Sequence, residues 1–169
     1  MKLKNITAAL ALVFVYSIAG ASGNHPGGHS DANAIGQPGK AEHVNRTITI
    51  TMFDSMRYRP ATISVKQGET IRFVVKNSGK IKHEMVLGTE KELQEHYEVM
   101  KKNPEMEHED DNMITVQPGK SGELIWRFTK TGKVGFACLM PGHYDAGMKG
   151  VVTVKASGGK ATQHPTHKH

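Results

Sequence analysis

Apolar and polar residues alternate through most of the middle of this 169-residue chain, and glycine- and proline-containing turns interrupt the alternation. Successive side chains of a β-strand point to opposite faces, so a period of two predicts half-buried strands. The predicted strands are residues 44–53, 61–66, 70–76, 83–88, 113–116, 122–128, 133–138 and 150–155. Short strands at such regular intervals favour an all-β sandwich or barrel.

One segment departs from the β pattern. Thr89 is followed three residues later by Glu92, and this spacing is the capping box that begins many helices. The apolar residues that follow share one face at helical spacing: Leu93, Tyr97 and Met100. We therefore predict a short amphipathic helix from Thr89 to about residue 103, ended by Pro104, whose apolar face packs on the sandwich instead of binding a cofactor.

The two ends of the chain differ from the middle. Lys2 and Lys4 precede an apolar run at 6–18, and Ala-Gly-Ala at 19–21 follows as a cleavage site. This pattern predicts a signal peptide at 1–21, export to the periplasm and no stable membrane insertion, because the run is short for a bilayer. An uncleaved membrane anchor is the alternative. Small, polar and histidine residues dominate 22–43 and 156–169, which we predict to be flexible segments flanking a domain at 44–155.

The charge distribution argues against nucleic acid as a partner. The formal net charge is +6, and removal of the signal peptide with its two lysines would leave +4. Lysine and arginine are scattered among acids without a continuous basic block, which indicates a solvated surface. We expect a monomer that binds no nucleic acid.

The single cysteine, Cys138, cannot form an internal disulfide. His143 follows it by five residues, and Met148 follows His143 by five more. A thiolate, an imidazole and a thioether on one loop suit copper, particularly if a second imidazole comes from elsewhere. His83 can supply that imidazole, because it begins a predicted strand that would reach the loop if the two strands are neighbours. A buried structural thiol beside an incidental His and Met is the alternative.

Several motifs together resemble the cupredoxins, the blue-copper family that includes azurin, plastocyanin and auracyanin. They are Tyr-Arg-Pro at 58–60, the turn and strand at 67–73, Asn-Ser-Gly at 77–79, the strand at 83–88 and Phe-Ala-Cys-Leu-Met-Pro-Gly-His at 136–143. The resemblance covers about residues 44–155. It implies a Greek-key β-sandwich with one type 1 copper, blue or green, held at one end by His83, Cys138, His143 and Met148.

The chain departs from azurin and plastocyanin in two ways. Those proteins have Asn after the first ligand histidine, where it helps to tie the ligand loops together, and this chain has Glu84. The resemblance therefore does not imply that the same hydrogen bond forms in this chain. The second departure is the insertion at 89–112, which carries soft-metal ligands at or near it: His96, Met100, Met106, His108 and Met113. These residues and the histidines of both tails are either weaker auxiliary copper ligands or ordinary side chains that are solvated or pack within the insertion.

The insertion and tails make the chain more similar to periplasmic cupredoxins of bacterial copper resistance than to a dedicated electron carrier. We expect a redox-active mononuclear copper protein that contributes to copper tolerance. The alternative is a soluble shuttle that passes electrons to a respiratory or photosynthetic redox partner. An enzyme such as a copper oxidase needs several more histidines for a further metal centre, and His96 and His108 without an HxH pair do not provide them. A metal-free adhesion or scaffold domain is a further alternative.

Overall fold

Ten strands form two five-stranded sheets in the computed structural model, which describes residues 34–158. The strands are β1 (Gln37–Pro38), β2 (Arg46–Phe53), β3 (Arg57–Arg59), β4 (Thr62–Lys66), β5 (Thr70–Asn77), β6 (His83–Gly88), β7 (Met113–Val116), β8 (Ser121–Arg127), β9 (Gly132–Ala137) and β10 (Lys149–Lys155). The first sheet has the order β1-β8-β5-β2-β3, and the second has the order β4-β10-β9-β6-β7. The predicted all-β sandwich is confirmed.

Strand β6 lies between β7 and β9 in the second sheet, and it pairs antiparallel with both. Val86 stands opposite Ala137, so the start of β6 approaches the residues that follow the end of β9. Those residues are the loop that begins at Cys138 and ends at Met148, called the ligand loop below. The condition for His83 to reach this loop, that the two strands are neighbours, is therefore met.

Side chains from the inner faces of both sheets form the main core. Alternation places Met85 and Leu87 of β6 in this core, while Val86 between them points to the opposite face. All six residues of β6 are nevertheless buried. The outer face is covered because Val86 belongs to a second apolar cluster, shared with the helix and the ligand loop: Leu93, Tyr97, Met100, Ala137, Leu139 and Tyr144.

That covering element is the helix α1 (Glu90–Lys102), which matches the prediction. The capping box is present, because the Thr89 hydroxyl accepts from the Glu92 amide at 3.2 Å and the Glu92 carboxylate accepts from the Thr89 amide at 2.8 Å. Within residues 34–158, no helix combines the length and apolar character needed to cross a membrane.

Two segments differ from the sequence predictions. The prediction of a flexible segment extending to residue 43 is wrong for the part from residue 34, because β1 pairs with β8 and the Trp126 indole donates to the Ile35 carbonyl at 2.8 Å. Ile35 is only 8% exposed, and a single apolar residue gives too weak a pattern to predict this. Strand β3 lies outside the predicted strands because it is too short to show alternation, yet it pairs with β2. Residues 1–33 and 159–169, with the predicted signal peptide and most of both tails, lie outside the described residues.

Candidate metal centre

His83 is the first residue of β6, and its side chain is fully buried. Its Nε2 lies 3.1 Å from Oδ1 of Asp54, whereas its Nδ1 has no hydrogen-bond partner among residues 34–158. The Asp54 carboxylate also accepts from the Lys80 amide at 2.7 Å, which fixes its position. That amide hydrogen bond is the main factor that lowers the pKa of Asp54. A carboxylate on one imidazole nitrogen orients the ring and leaves the other nitrogen free to bind a metal.

Cys138 directly follows β9, and its thiol is buried. Its Sγ lies 3.2 Å from Nδ1 of His143, five residues further along the ligand loop. The His143 ring in turn lies beside the His83 ring, with 5.0 Å between the centroids and 55° between the planes. The residues predicted as the two imidazole ligands and the thiolate ligand therefore meet in the folded chain.

These three side chains form a compact group of metal-binding donors. Among the His, Cys, Asp and Glu residues that the structure describes, His83, Cys138 and His143 are the group whose donor atoms all lie within 4.8 Å of one another. Such a cluster of two imidazoles and one thiol is the donor set of electron-transfer copper sites. The strand pairing of β6 with β9 and the short loop after β9 bring the cluster together.

Met148 ends the ligand loop and is fully buried in the same core cluster as Cys138. Its carbonyl accepts from the Cys138 amide at 3.1 Å, and its own amide donates to the His143 carbonyl at 3.0 Å. These two hydrogen bonds close the loop and hold the backbone of Met148 beside both loop ligands. Its role as the fourth ligand stays a prediction.

Burial controls the acid–base properties of the loop ligands. Burial, followed by the nearby negative charge of Glu84, raises the pKa of the Cys138 thiol from 9.0 to about 12. Burial and the neighbouring His83 lower the pKa of His143. Near neutral pH the copper-free site therefore holds a protonated thiol and a neutral His143 imidazole, and a bound metal must displace the thiol proton.

Glu84 joins the two segments that carry the ligands. Its Oε1 accepts a hydrogen bond from the Leu139 amide at 2.7 Å, so the residue after His83 is tied to the residue after Cys138. The Tyr58 hydroxyl donates to the Glu84 carbonyl at 2.6 Å. Burial raises the pKa of the Glu84 carboxyl. A loop-locking hydrogen bond is therefore present although the residue is Glu and not Asn.

Tyr97 of α1 holds the turn of the ligand loop. Its hydroxyl accepts from the Gly142 amide at 3.0 Å and donates to the Asp145 carboxylate at 2.8 Å. Its ring stacks on Tyr144 with 4.9 Å between the centroids. The inserted helix is thus part of the support of the loop that carries Cys138 and His143.

The sequence does not indicate the contacts that three supporting residues make. Tyr97 was predicted only as a packing residue, and nothing in its helical spacing indicates a hydrogen bond to the loop. Asp54 is 29 residues before His83 and lies outside the predicted strands. Arg57 of β3 donates to the Ala146 carbonyl at 2.8 Å. Each contact depends on how distant strands pair, which local patterns do not specify.

Only some of the auxiliary ligands suggested by the sequence lie close together in the structure. His96 of α1 and His108, between α1 and β7, stack with 4.6 Å between ring centroids. Met100 is buried and Met106 is 45% exposed. Most histidines of the two tails lie outside residues 34–158.

The metal centre fits copper on the chemistry of its residues. The Nδ1 atom of His83 is buried and has no hydrogen-bond partner within residues 34–158. Buried polar atoms without partners are rare, so this nitrogen is a suitable position for a metal to bind. The thiol supplies a soft donor, and the imidazoles supply borderline donors, which together favour copper over Mg²⁺ or Ca²⁺. His83, Cys138 and His143 are the residues that would hold the metal.

Comparison with known proteins agrees with this chemistry. The family described as copper binding proteins, plastocyanin/azurin family, matches residues 44–155. A copper-resistant cuproprotein CopI of Rubrivivax gelatinosus is 45% identical over 151 residues, which cover 86% of this chain and 92% of the relative. The protein of the same name from Pseudomonas aeruginosa is 36% identical over 174 residues, covering 86% of this chain and 94% of the relative.

Solved structures support the same fold. A dithionite-reduced auracyanin of Roseiflexus castenholzii superposes with a TM-score of 0.55 and 27% identity, covering 66% of this chain and 98% of the other. Auracyanin B gives a TM-score of 0.59 with 24% identity, covering 73% and 99%, and this likeness concerns the fold alone. The chain therefore belongs to the plastocyanin/azurin family of copper-binding proteins, the cupredoxins, and is related to the copper-resistant cuproproteins.

Proposed function

We propose that this chain is an exported cupredoxin that binds one copper through His83, Cys138, His143 and Met148 and contributes to copper tolerance in the periplasm. The observation that carries the proposal is the convergence of three donor atoms within 4.8 Å at the end of the sandwich. The unpartnered Nδ1 of His83 supports it, because the nitrogen is buried and already oriented. Copper bound there would exchange single electrons between its Cu(I) and Cu(II) states.

Different residues orient, support and shield the proposed copper ligands. Asp54 orients the His83 ring, Glu84 holds the ligand loop at Leu139, and Tyr97 holds it at Gly142. Cys138 would lose its proton on binding the metal, and the apolar residues around it would keep water from the sulfur. His143 is half-buried next to the exposed Pro141 and Gly142, so its ring lies near the protein surface.

The relatives favour tolerance over electron transport as the role. Two proteins named copper-resistant cuproproteins align over nearly their whole length with this chain. The predicted signal peptide at 1–21 would deliver the protein to the compartment where external copper first arrives. We accordingly propose a monomer that binds copper, cycles it between its oxidation states, or does both, and that has no enzymatic activity.

An electron shuttle is the second candidate function. The exposed Pro141 and Gly142 beside His143 favour it, because a ligand near the surface gives electrons a short path to a partner. Its redox partner would be a respiratory or photosynthetic protein.

Spectroscopy tests the ligand set. Purified protein titrated with Cu(II) should gain an intense visible thiolate-to-copper band at one equivalent, and Cys138→Ser should abolish it. Met148→Leu should keep the copper but change its reduction potential, whereas Met52→Leu, another fully buried methionine, should change neither. Absence of the band in the parent protein would overturn the proposal.

A genetic experiment separates the two roles. Deletion of the gene should reduce survival on copper-containing medium and leave the respiration rate without added copper unchanged. Complementation with the parent should restore survival, and complementation with Cys138→Ser should not. A deletion strain that tolerates copper normally but respires slowly would favour the shuttle instead.

A further inference from the structure

The chain between β2 and β3, called the 54–57 turn below, contacts both segments that carry the proposed ligands. At its start, the Asp54 carboxylate lies 3.1 Å from Nε2 of His83. At its end, Arg57 donates to the Ala146 carbonyl of the ligand loop at 2.8 Å. Four consecutive residues therefore connect the strand of the first ligand with the last part of the ligand loop.

One nitrogen of the Arg57 guanidinium joins the turn to the loop. Its Nη1 donates to the Met56 carbonyl at 2.7 Å and to the Ala146 carbonyl at 2.8 Å. A guanidinium NH₂ group carries two hydrogens in a fixed plane, so it can serve both acceptors at once. The guanidinium also lies against Gly147, because a Cβ atom added there would be 3.1 Å from Nη1. Arg57 thus contacts the two residues that directly precede Met148.

The backbone of the turn has a conformation that few side chains adopt. Met56 has a φ of 59°, in the left-handed region that is uncommon for residues other than glycine. Its amide donates to the Phe53 carbonyl at 2.9 Å, and its side chain packs against the main core. Such conformations persist only where the surrounding structure holds them, and they concentrate at functional sites. A turn kept for its contacts with the ligand segments would explain why this one is retained.

The side of the turn that faces His83 depends on a glycine. A Cβ atom on Gly79 would overlap the Asp54 carboxylate, so a side chain at this position would push Asp54 away from His83. The Lys80 amide, next along the chain, donates to the same carboxylate at 2.7 Å. The segment that leads into the first ligand is therefore shaped to accept the turn.

We propose that Arg57 is a positioning residue of the copper centre, which fixes the end of the ligand loop and thereby the place of the Met148 thioether. The inference rests on the proposed function, in which Met148 is the fourth ligand. A weak axial thioether tunes the reduction potential of such copper sites. Arg57 is exposed and binds no metal itself, so a surface side chain would adjust the potential through the loop backbone.

Hydrogen exchange in the copper-free protein, followed by NMR, measures the positioning directly. Arg57→Ala should speed exchange of the Gly147 and Met148 amides about tenfold, because a hydrogen bond from a charged donor contributes free energy of that order. Arg59→Ala is the matched control. Arg59 carries the same charge on the same strand but lies over the Phe53 ring, 5.6 Å from its centroid, so its loss should leave these amides unchanged. Equal exchange in Arg57→Ala and the parent would overturn the proposal.

The reduction potential of the copper-loaded protein tests the consequence at the metal. Arg57→Ala should shift it in the same direction as Met148→Leu, by about 59 mV, which is a tenfold change in the ratio of Cu(I) to Cu(II) affinity. Arg59→Ala should shift it much less. In the Met148→Leu background, Arg57→Ala should add almost nothing, because both changes act through one thioether. Equal shifts in Arg57→Ala and Arg59→Ala would indicate an effect of charge alone and would overturn the proposal, as would additive shifts in the double variant.

The thiolate-to-copper band distinguishes failure of this inference from failure of the proposed function. The band depends on Cys138, so it should persist in all of these variants. If Met148→Leu shifts the potential and Arg57→Ala does not, Arg57 is not a positioning residue and the proposed function stands. If Met148→Leu leaves the potential unchanged, Met148 is not the axial ligand, and the assignment of Arg57 falls with it.

Discussion

The carboxylate of Glu84 accepts a hydrogen bond from the backbone amide of Leu139, with 2.7 Å between Oε1 and N. Each residue directly follows a proposed copper ligand, His83 or Cys138. The bond therefore fixes the distance between the strand that carries one ligand and the loop that carries the others. Glu84 is only 5% exposed, so the bond is largely shielded from bulk solvent.

Loss of this acceptor should destabilise the protein. Glu84→Ala would leave the Leu139 amide buried without a partner, which costs about 1–3 kcal/mol of unfolding free energy. Glu84→Gln keeps an acceptor oxygen and should lose much less. Urea unfolding of copper-free protein measures both, with the exposed Glu105→Ala as control. Equal stability of Glu84→Ala and the parent would contradict the assigned role.

Asp54 should influence copper affinity without binding copper itself. It fixes the His83 ring through Nε2, and removal of such an orienting group typically weakens metal binding about 10–100-fold. Asp54→Ala should show this loss in a Cu(II) competition titration. Asp54→Asn retains an oxygen toward His83 and should recover part of the affinity. Unaltered affinity in Asp54→Ala would mean that the ring is held by packing alone.

The helix should contribute to loop stability through a single hydroxyl group. Tyr97→Phe keeps the ring and its stacking on Tyr144 but removes the hydrogen bonds to Gly142 and Asp145. We expect a loss of about 1–3 kcal/mol in unfolding free energy. The matched control is Tyr144→Phe, whose hydroxyl makes no hydrogen bond within the described residues. A similar loss in both variants would show that the hydroxyl of Tyr97 is not the cause.

The stability of the copper-free protein should fall at alkaline pH because of Cys138. Burial raises the pKa of this thiol from 9.0 to about 12, so the folded state favours the protonated form. The contribution is complete below the unfolded pKa of 9.0 and is lost as the pH rises toward 12. Linkage gives a loss of about 1.4 kcal/mol between pH 8 and pH 10.

Urea unfolding at the two pH values measures this loss in the parent and in Cys138→Ser. The variant has no thiol to titrate, so its stability should change less by about that 1.4 kcal/mol. Parallel behaviour of the two proteins would indicate that the thiol ionises in the folded state almost as easily as in the unfolded state.

Local sequence patterns determined most elements of this protein. Alternation of apolar residues predicts eight of the ten strands in the described part, and the Thr89–Glu92 capping box predicts where α1 begins. The ligand loop needs little beyond its own spacing, because His143 and Met148 reach Cys138 within one short turn. The loop spacing therefore indicates the metal independently of strand pairing.

The tertiary structure decided what surrounds that loop. The sequence allowed His83 as a ligand only if β6 and β9 were neighbours, and the antiparallel pairing of Val86 with Ala137 satisfies that condition. The contacts of Asp54, Glu84 and Tyr97 join residues 29, 55 and 45 positions apart, so no local period could reveal them. Spacing along the chain fixes which atoms a loop can offer, whereas sheet pairing and helix docking fix which distant groups orient them.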